Sequence, residues 1–236
     1  AMSWVLLGEI TAVATTQVAE RTRRPVVTRV LAAGAMVMVA LVLWTGGRAA
    51  LSSWRLHDAR EWARLADATE RADDAFAGAL AANPWDGRAI RLAAQWAEQQ
   101  ALAPGSGSEV WFDRADAWLD EALRHRDGDV TLLVDRARLQ TERARTARSA
   151  DIASAYAEAD RRWAAVIDTD PHNWQVHELW ALTLNEWANA VGGEVELRER
   201  AVAEWQRTLD LRPTRDAARE NITRVRRALR AASEAP

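Results

Sequence analysis

The densest group of side chains able to do chemistry lies at residues 163–180, in the sequence WAAVIDTDPHNWQVHELW. It holds two histidines, His172 and His177, and three acids, the side chains that most often bind zinc or transfer protons. The histidines are five residues apart, on different sides of a helix, and HELWA lacks the second histidine that a zinc-protease helix carries four residues on. We therefore expect a joint between two helices, in which Asn173 is the N-cap, Trp174 begins the next helix and His177 is packed with one hydrogen bond.

Side chains suited to catalysis are few in the rest of the chain. There are four histidines, one tyrosine and no cysteine. No Gly-rich phosphate loop, Gly-x-Ser-x-Gly elbow or metal-spaced cluster occurs. Acids alternate with arginines, as in Asp113-Arg114 and Glu199-Arg200, which is typical of solvated helix faces. We expect a protein that is not an enzyme and has no catalytic residue, metal site or cofactor.

Charge and composition indicate which class of protein could carry such residues. All 31 basic residues are arginine. Residues 1–55 have a net charge of +4, and the remaining 181 residues have a net charge of −7. This division argues against nucleic-acid binding and suits a membrane-proximal segment that carries a soluble domain. Because cysteine is absent, disulfides and thiolate metal sites are excluded.

Residues 26–45, VVTRVLAAGAMVMVALVLWT, have the length and composition of a transmembrane helix, with Arg29 as the only charge. A buried core helix is the alternative. The preceding TRRPVV, residues 22–27, resembles a degenerate twin-arginine export signal with a cleavage site at residues 47–49, but we favour an uncleaved anchor. Basic residues before the span favour, by a small margin, a cytoplasmic N-terminus, and hence a bacterial inner-membrane protein with a periplasmic body.

Two further features suggest contacts within the membrane. Residues 1–20 have apolar side chains on one helical face, so we expect a helix that lies in the membrane interface or packs on a membrane subunit. The first half of the span carries four adjacent small residues, which favour close helix packing in lipid. They are Ala32, Ala33, Gly34 and Ala35.

From residue 51 onward a pattern recurs with the spacing Ala-x3-large-x2-small-x4-Pro or Asp. The four matches are Ala72/Phe76/Ala79/Pro84, Ala115/Leu119/Ala122/Asp127, Ala159/Trp163/Val166/Pro171 and Ala201/Trp205/Thr208/Pro213. Their closing positions are 43, 44 and 42 residues apart. Steps of four and three residues lie on one helical stripe, so each match predicts a helix with one buried face, ended by Pro or Asp. A polar turn and a further helix follow, with the apolar stripes Ile90/Ala93/Ala94/Ala97, Leu133/Ala137/Gln140 and His177/Trp180/Ala181/Leu184.

This pattern resembles the tetratricopeptide-repeat family over about residues 60–230. The resemblance implies an all-α fold in which antiparallel helix pairs stack into a right-handed solenoid. The period exceeds the family's usual 34 residues, and the additional length falls at residues 103–108, 145–151 and 192–193. We expect a repeat domain at residues 51–213, preceded by the basic flank and span at 21–50 and followed by a capping helix at 214–236.

In this family the first helix of each repeat lines a concave groove that binds partners. By helical register the inward positions carry both signs of charge, which suits a peptide or protein surface more than a polyanion. They are Arg88, Arg91, Gln95 and Glu98, then Asp135, Arg138 and Glu142, then Gln175, Glu178 and Asn185. The alternative is that these side chains are only solvated.

A second resemblance concerns the order of the segments. WTGGRAALSSWRLHDAREWA followed by AFAGALAANPWD is similar in style to the C-terminal part of bacterial O-antigen ligase and polymerase proteins, whose repeats face the periplasm. It implies a non-catalytic interaction scaffold or assembly factor that binds membrane or periplasmic proteins of the cell-envelope polysaccharide machinery. The alternative is an accessory subunit of a large membrane complex, respiratory or photosynthetic.

Overall fold

A computed structural model describes residues 25–65, 68–103 and 107–234. These residues form nine α-helices and no strand, which confirms the all-α prediction. The helices are α1 (Pro25–Trp62), α2 (Thr69–Ala82), α3 (Gly87–Leu102), α4 (Ser108–His125), α5 (Val130–Thr146), α6 (Ile152–Thr169), α7 (Trp174–Ala190), α8 (Val195–Leu211) and α9 (Asp216–Glu234).

Helix α1 is a single helix of 38 residues that continues through Gly46 and Gly47 and across the expected boundary between residues 50 and 51. Residues 30–47 are exposed throughout. Beyond them Ser52, Leu56 and Ala59 are buried, so the last third of α1 belongs to the packed body. By length and composition α1 could cross a membrane. The helix expected at residues 1–20 lies outside the described residues.

Helices α2, α4, α6 and α8 carry the recurring pattern, and all of its alanines and large residues are buried. Phe76, Leu119, Trp163 and Trp205 have exposed fractions of 2% or less. The first alanine of each match has an exposed fraction of zero, so a neighbouring helix approaches closely at that position. Burying rings and branched side chains beside alanines removes apolar surface from water at about 25 cal/mol per Å². The motif therefore defines the buried stripe of these four helices.

Most stripes expected on the intervening helices are also buried, with one shift. Ile90, Ala93, Ala94 and Ala97 of α3 have almost no exposed surface. In α5, Leu132 is buried while Leu133, the expected position, is only partly buried. Ala137 and Gln140 are buried as expected, so the shift is confined to the first position of the α5 stripe.

Side-chain caps define the starts of three helices. The carboxylate of Asp86 accepts hydrogen bonds from the backbone N–H groups of residues 88 and 89, and that of Asp129 from residues 131 and 132. The Asn173 side chain accepts the N–H of Gln175, which confirms it as the N-cap of a helix that begins at Trp174. Each cap satisfies N–H groups that the helix leaves unpaired.

Contacts between helices follow the chain order. They are most extensive within α1/α2, α3/α4, α5/α6 and α7/α8, and α9 packs on α8. The buried apolar residues form three clusters that follow one another from α1 to α9. The core is therefore built in series along the chain.

Ion pairs link residues about forty positions apart. Arg114 of α4 makes two hydrogen bonds to Asp73 of α2, at 3.0 and 2.8 Å. Arg200 of α8 bonds Asp160 of α6 at 2.8 and 2.9 Å. In both cases the aspartate follows one motif alanine and the arginine precedes the next. The repeat that buries apolar residues therefore also places ion pairs between α2 and α4 and between α6 and α8.

Candidate functional site

Three adjoining cavities lie along α3, α5 and α7. The first has a volume of about 580 Å³, and the second and third are smaller, at about 80 and 120 Å³. Arg91 and Gln95 line both the first and the second, and Arg138 lines both the second and the third. We call this surface the α3–α5–α7 groove. Seven of the ten predicted groove residues line it, namely Arg88, Arg91, Gln95, Glu98, Asp135, Arg138 and Glu142.

The first cavity is basic. Its arginines come from three parts of the chain, Arg60 from α1, Arg88 and Arg91 from α3, and Arg126 from the turn before α5. Arg91 Nε lies 3.0 Å from Asp135 Oδ2, and Arg126 Nη2 lies 2.7 Å from Asp129 Oδ2. Arg60 and Arg88 make no ion pair within residues 25–65, 68–103 and 107–234. Two positive charges are thus left for a ligand.

The second cavity carries both signs of charge, with Glu98 and Asp135 beside Arg91 and Arg138. Burial raises the pKa of Glu98, and the charges of Glu142 and Asp135 raise it further against the opposing charge of Arg138. Burial also raises the pKa of Asp135, opposed by Arg91 and Arg138. Buried carboxylates held among arginines are costly to desolvate unless they are paired. This cavity can offer acceptors to a basic or hydrogen-bond-donating group of a partner.

The third cavity lies over the packed centre of the body. Trp163 Nε1 donates to Thr141 Oγ1 at 3.1 Å, and Thr141 Oγ1 lies 3.3 Å from Thr183 Oγ1. Above this chain Arg145 bonds Glu186 at 2.8 and 2.7 Å and also contacts Glu142. The groove therefore presents an excess of arginines at the first cavity and mixed charge along the second and third.

The other three predicted groove residues, all on α7, do not line these cavities. Glu178 accepts two hydrogen bonds from Arg215 Nε, at 2.9 and 3.1 Å, so it ties the start of α9 to α7. Gln175 is exposed in the first turn of α7, and Asn185 is partly buried in its middle. The structure thus brings the predicted α3 and α5 positions together along the cavities and leaves the three α7 positions outside them.

Arg60, Arg126 and Thr131 line the first cavity but were not predicted. The prediction used helical register within α3, α5 and α7, whereas Arg60 comes from the end of α1 and Arg126 from a turn. No local spacing indicates such residues, because only the packing of α1 and α4 around α3 brings them together.

The histidine-rich stretch is a joint between α6 and α7. His177 is buried and has two polar neighbours where one hydrogen bond was expected: its Nδ1 lies 2.6 Å from Glu204 Oε2, and its Nε2 lies 3.0 Å from the carbonyl oxygen of Pro171. His172 is exposed. In the part of the chain that the structure describes, no group of three or more His, Asp or Glu side chains is arranged to hold a metal ion.

The four small residues of the apolar segment, Ala32, Ala33, Gly34 and Ala35, form an exposed stretch of α1. A Cβ atom added at Gly34 would meet nothing within 4 Å. Space for a second helix is therefore open at this point.

Comparison with known proteins adds no assignment. No family model matches the chain, and no curated protein is detectably similar to it in sequence.

Proposed function

We propose that this protein is a non-catalytic, membrane-anchored interaction scaffold whose helical-repeat domain binds another protein through the α3–α5–α7 groove. The observation that carries the proposal is the groove itself, with two arginines in the first cavity that make no ion pair among the described residues and half-buried carboxylates beside arginines in the second. A surface with both signs of charge in fixed order suits a protein partner, because complementary charges set register and exclude wrong partners.

The architecture that we propose is a solenoid of antiparallel helix pairs related to tetratricopeptide repeats. The period of 42 to 44 residues and the burial of every large motif residue support it. So do the strong contacts within α1/α2, α3/α4, α5/α6 and α7/α8. In this arrangement α3, α5 and α7 are the first helices of their repeats and α9 is the capping helix.

We propose that α1 anchors this domain in a bacterial inner membrane, with the repeats in the periplasm. Residues 30–47 are apolar and exposed, as lipid contact requires. The arginines before the span support a cytoplasmic N-terminus. The segment order resembles envelope polysaccharide ligases and polymerases, which favours that machinery as the setting.

A permanent accessory subunit of a large membrane complex is the second candidate. The exposed small residues at 32–35 favour it, since a simple anchor does not need a surface for close helix packing. The native size of the detergent-solubilised protein separates the two candidates. A fixed large assembly supports the subunit, and a monomer supports the scaffold.

Charge reversal in the groove tests partner binding. Arg88 and Arg138 are exposed groove residues with no ion pair in the described segments, so Arg88→Glu with Arg138→Glu changes the groove without breaking the core. The matched control is Arg207→Glu with Arg226→Glu, at exposed positions of α8 and α9. We expect partners that co-purify with the wild type and the control to be lost from the groove variant. Unchanged co-purification with the groove variant would show that the groove does not bind these partners.

A further inference from the structure

Trp85 lies in the short turn between α2 and α3 and leaves 60% of its surface exposed. Its ring packs against His125, the last residue of α4, at a centroid distance of 5.0 Å. Other tryptophans of the body, such as Trp96, Trp163 and Trp205, are buried. An exposed indole on a tight turn therefore needs an explanation other than the core.

The position of this turn follows from the contacts between α1 and α2. The Arg71 guanidinium lies 5.2 Å from the ring centre of Trp62, and Arg55 donates to the carbonyl of Gly78 at 3.0 Å. Arg48 donates to the carbonyls of Ala82 and Ala81 at 2.7 and 3.1 Å. As residue numbers rise along α2, the numbers of its partners on α1 fall. Helix α2 thus ends beside Arg48.

Arg48 also marks the end of the apolar part of α1. It lies one turn after Trp44, or about 6 Å along the axis, and its guanidinium is 5.8 Å from the Trp44 ring centre. Residues 30–44 before it are apolar, exposed and free of charge. The turn at residues 83–86 and Trp85 therefore lie at the level where the apolar segment ends.

The surroundings of Trp85 are apolar in part and carry charges of both signs. A cavity of about 350 Å³ beside the turn is lined mainly by Leu80, Pro84, Ile90 and Trp118, with His125 at its edge. The exposed charges nearby on α4 and its C-terminal turn are of both signs, Glu121 and Asp127 against Arg124. Such a surface suits the interface between the apolar core of a membrane and water more than it suits an anionic ligand.

We propose that Trp85 and the turn at residues 83–86 insert into the headgroup layer of the membrane that α1 spans, giving the repeat domain a second membrane contact. Indole rings prefer this layer because one part of the ring is apolar and its N–H remains hydrogen-bonded. With α1 continuous into the body and Trp85 held at the lipid surface, the domain has a fixed tilt. The inference rests on the proposed anchoring by α1.

Single spin labels can test this, because the chain has no cysteine and each introduced one is unique. The labelled variants keep Trp85 and are Ala81→Cys in the last turn of α2, Val37→Cys within the apolar segment and Val110→Cys in the first turn of α4, all at exposed positions. Val110 lies about 22 Å along α4 from His125, away from the turn. In full-length protein in phosphatidylcholine nanodiscs, accessibility to oxygen and to a water-soluble nickel chelate gives the depth of each label.

We expect the label at 37 to be deep, that at 110 to be fully aqueous, and that at 81 to be partly protected from nickel at headgroup depth. Adding anionic lipid should not change this order. A label at 81 that is as open to nickel as that at 110, while 37 is deep, would overturn the proposal alone. An aqueous label at 37 would overturn the anchoring by α1 and the proposal with it.

Removing the Trp85 ring provides the second measurement. Ala81→Cys is compared with and without Trp85→Ser. We expect headgroup-depth protection at 81 to be lost when Trp85 is replaced. Protection that is unchanged by the replacement would show that Trp85 does not hold the turn at the membrane.

Discussion

Trp163 and Trp205 occupy the same position of the recurring pattern, and both are 1% exposed. The indole N–H of Trp163 donates to Thr141, whereas the Nε1 atom of Trp205 is buried without a hydrogen-bond partner among the described residues. The pattern predicted that both would be buried. It could not predict the partner, because Thr141 lies 22 residues away on another helix. The same holds for the contact of His177 with Glu204, 27 residues away.

Because only Trp163 has a hydrogen-bond partner, replacing Trp163 and Trp205 with the same residue should lower the free energy of unfolding by different amounts. Replacing either tryptophan with Ala should lower the free energy of unfolding by about 3–5 kcal/mol, as large-to-small core changes do. Replacing each with Phe removes the same volume at both sites but a hydrogen bond at only one. We expect Trp163→Phe to cost about 1 kcal/mol more than Trp205→Phe. Denaturant unfolding followed by circular dichroism measures both, and equal costs for the two Phe variants would contradict the assigned hydrogen bond.

At the scale of helices, Asp116 differs from the equivalent aspartates of neighbouring repeats in the arginine with which it pairs. Asp73, Asp116 and Asp160 each follow a motif alanine, and Asp73 and Asp160 bond the arginine that precedes the next motif alanine. The equivalent partner of Asp116 would be residue 158, which is a glutamate. Asp116 instead accepts hydrogen bonds from Arg136 of α5, at 2.7 and 3.2 Å. The sequence period predicts where these helices pack, but long-range partners depend on charges that the period does not fix.

Burial opposes ionisation of Asp116, but the hydrogen bonds and charge of Arg136 outweigh it, so the pKa of Asp116 lies below its ordinary value of 3.8. An unfolded chain takes up this proton near pH 3.8, and the folded protein takes it up only at lower pH. The stabilising contribution is therefore complete above pH 3.8 and is lost as the pH falls through the lowered pKa. We expect Asp116→Asn to cost about 1.5–3 kcal/mol near pH 7, with the difference from wild type shrinking below pH 3.8.

Asp113→Asn on the same helix is the matched control. The Asp113 side chain is 67% exposed and pairs with Arg143 at the surface, so its loss should cost less than about 1 kcal/mol. Unfolding curves from pH 2.5 to 7 give both differences. A cost at Asp116 that does not depend on pH would mean that its ionised form is not what stabilises the contact of α4 with α5.

At the scale of the whole molecule, the nine helices of the described residues place an exposed apolar segment at one end and a charged groove along α3, α5 and α7. The all-α class and the seven residues that line the cavities could be predicted because helical period and register are local properties. The contribution of Arg60 to the groove and the continuation of α1 to Trp62 could not. Both depend on how α1 packs against the following helices.

The proposed function depends on the α3–α5–α7 groove being the surface that binds a partner protein. The most direct measurement places one photo-crosslinking side chain at Gln95, which lines the first two cavities, or at Gln206, an exposed position of α8. Irradiation is carried out in intact cells, before solubilisation. We predict one discrete crosslinked product from position 95 that disappears when Arg88 and Arg138 are changed to Glu, and none from position 206. Products of the same size and yield from both positions, unaffected by the charge reversal, would contradict the claim.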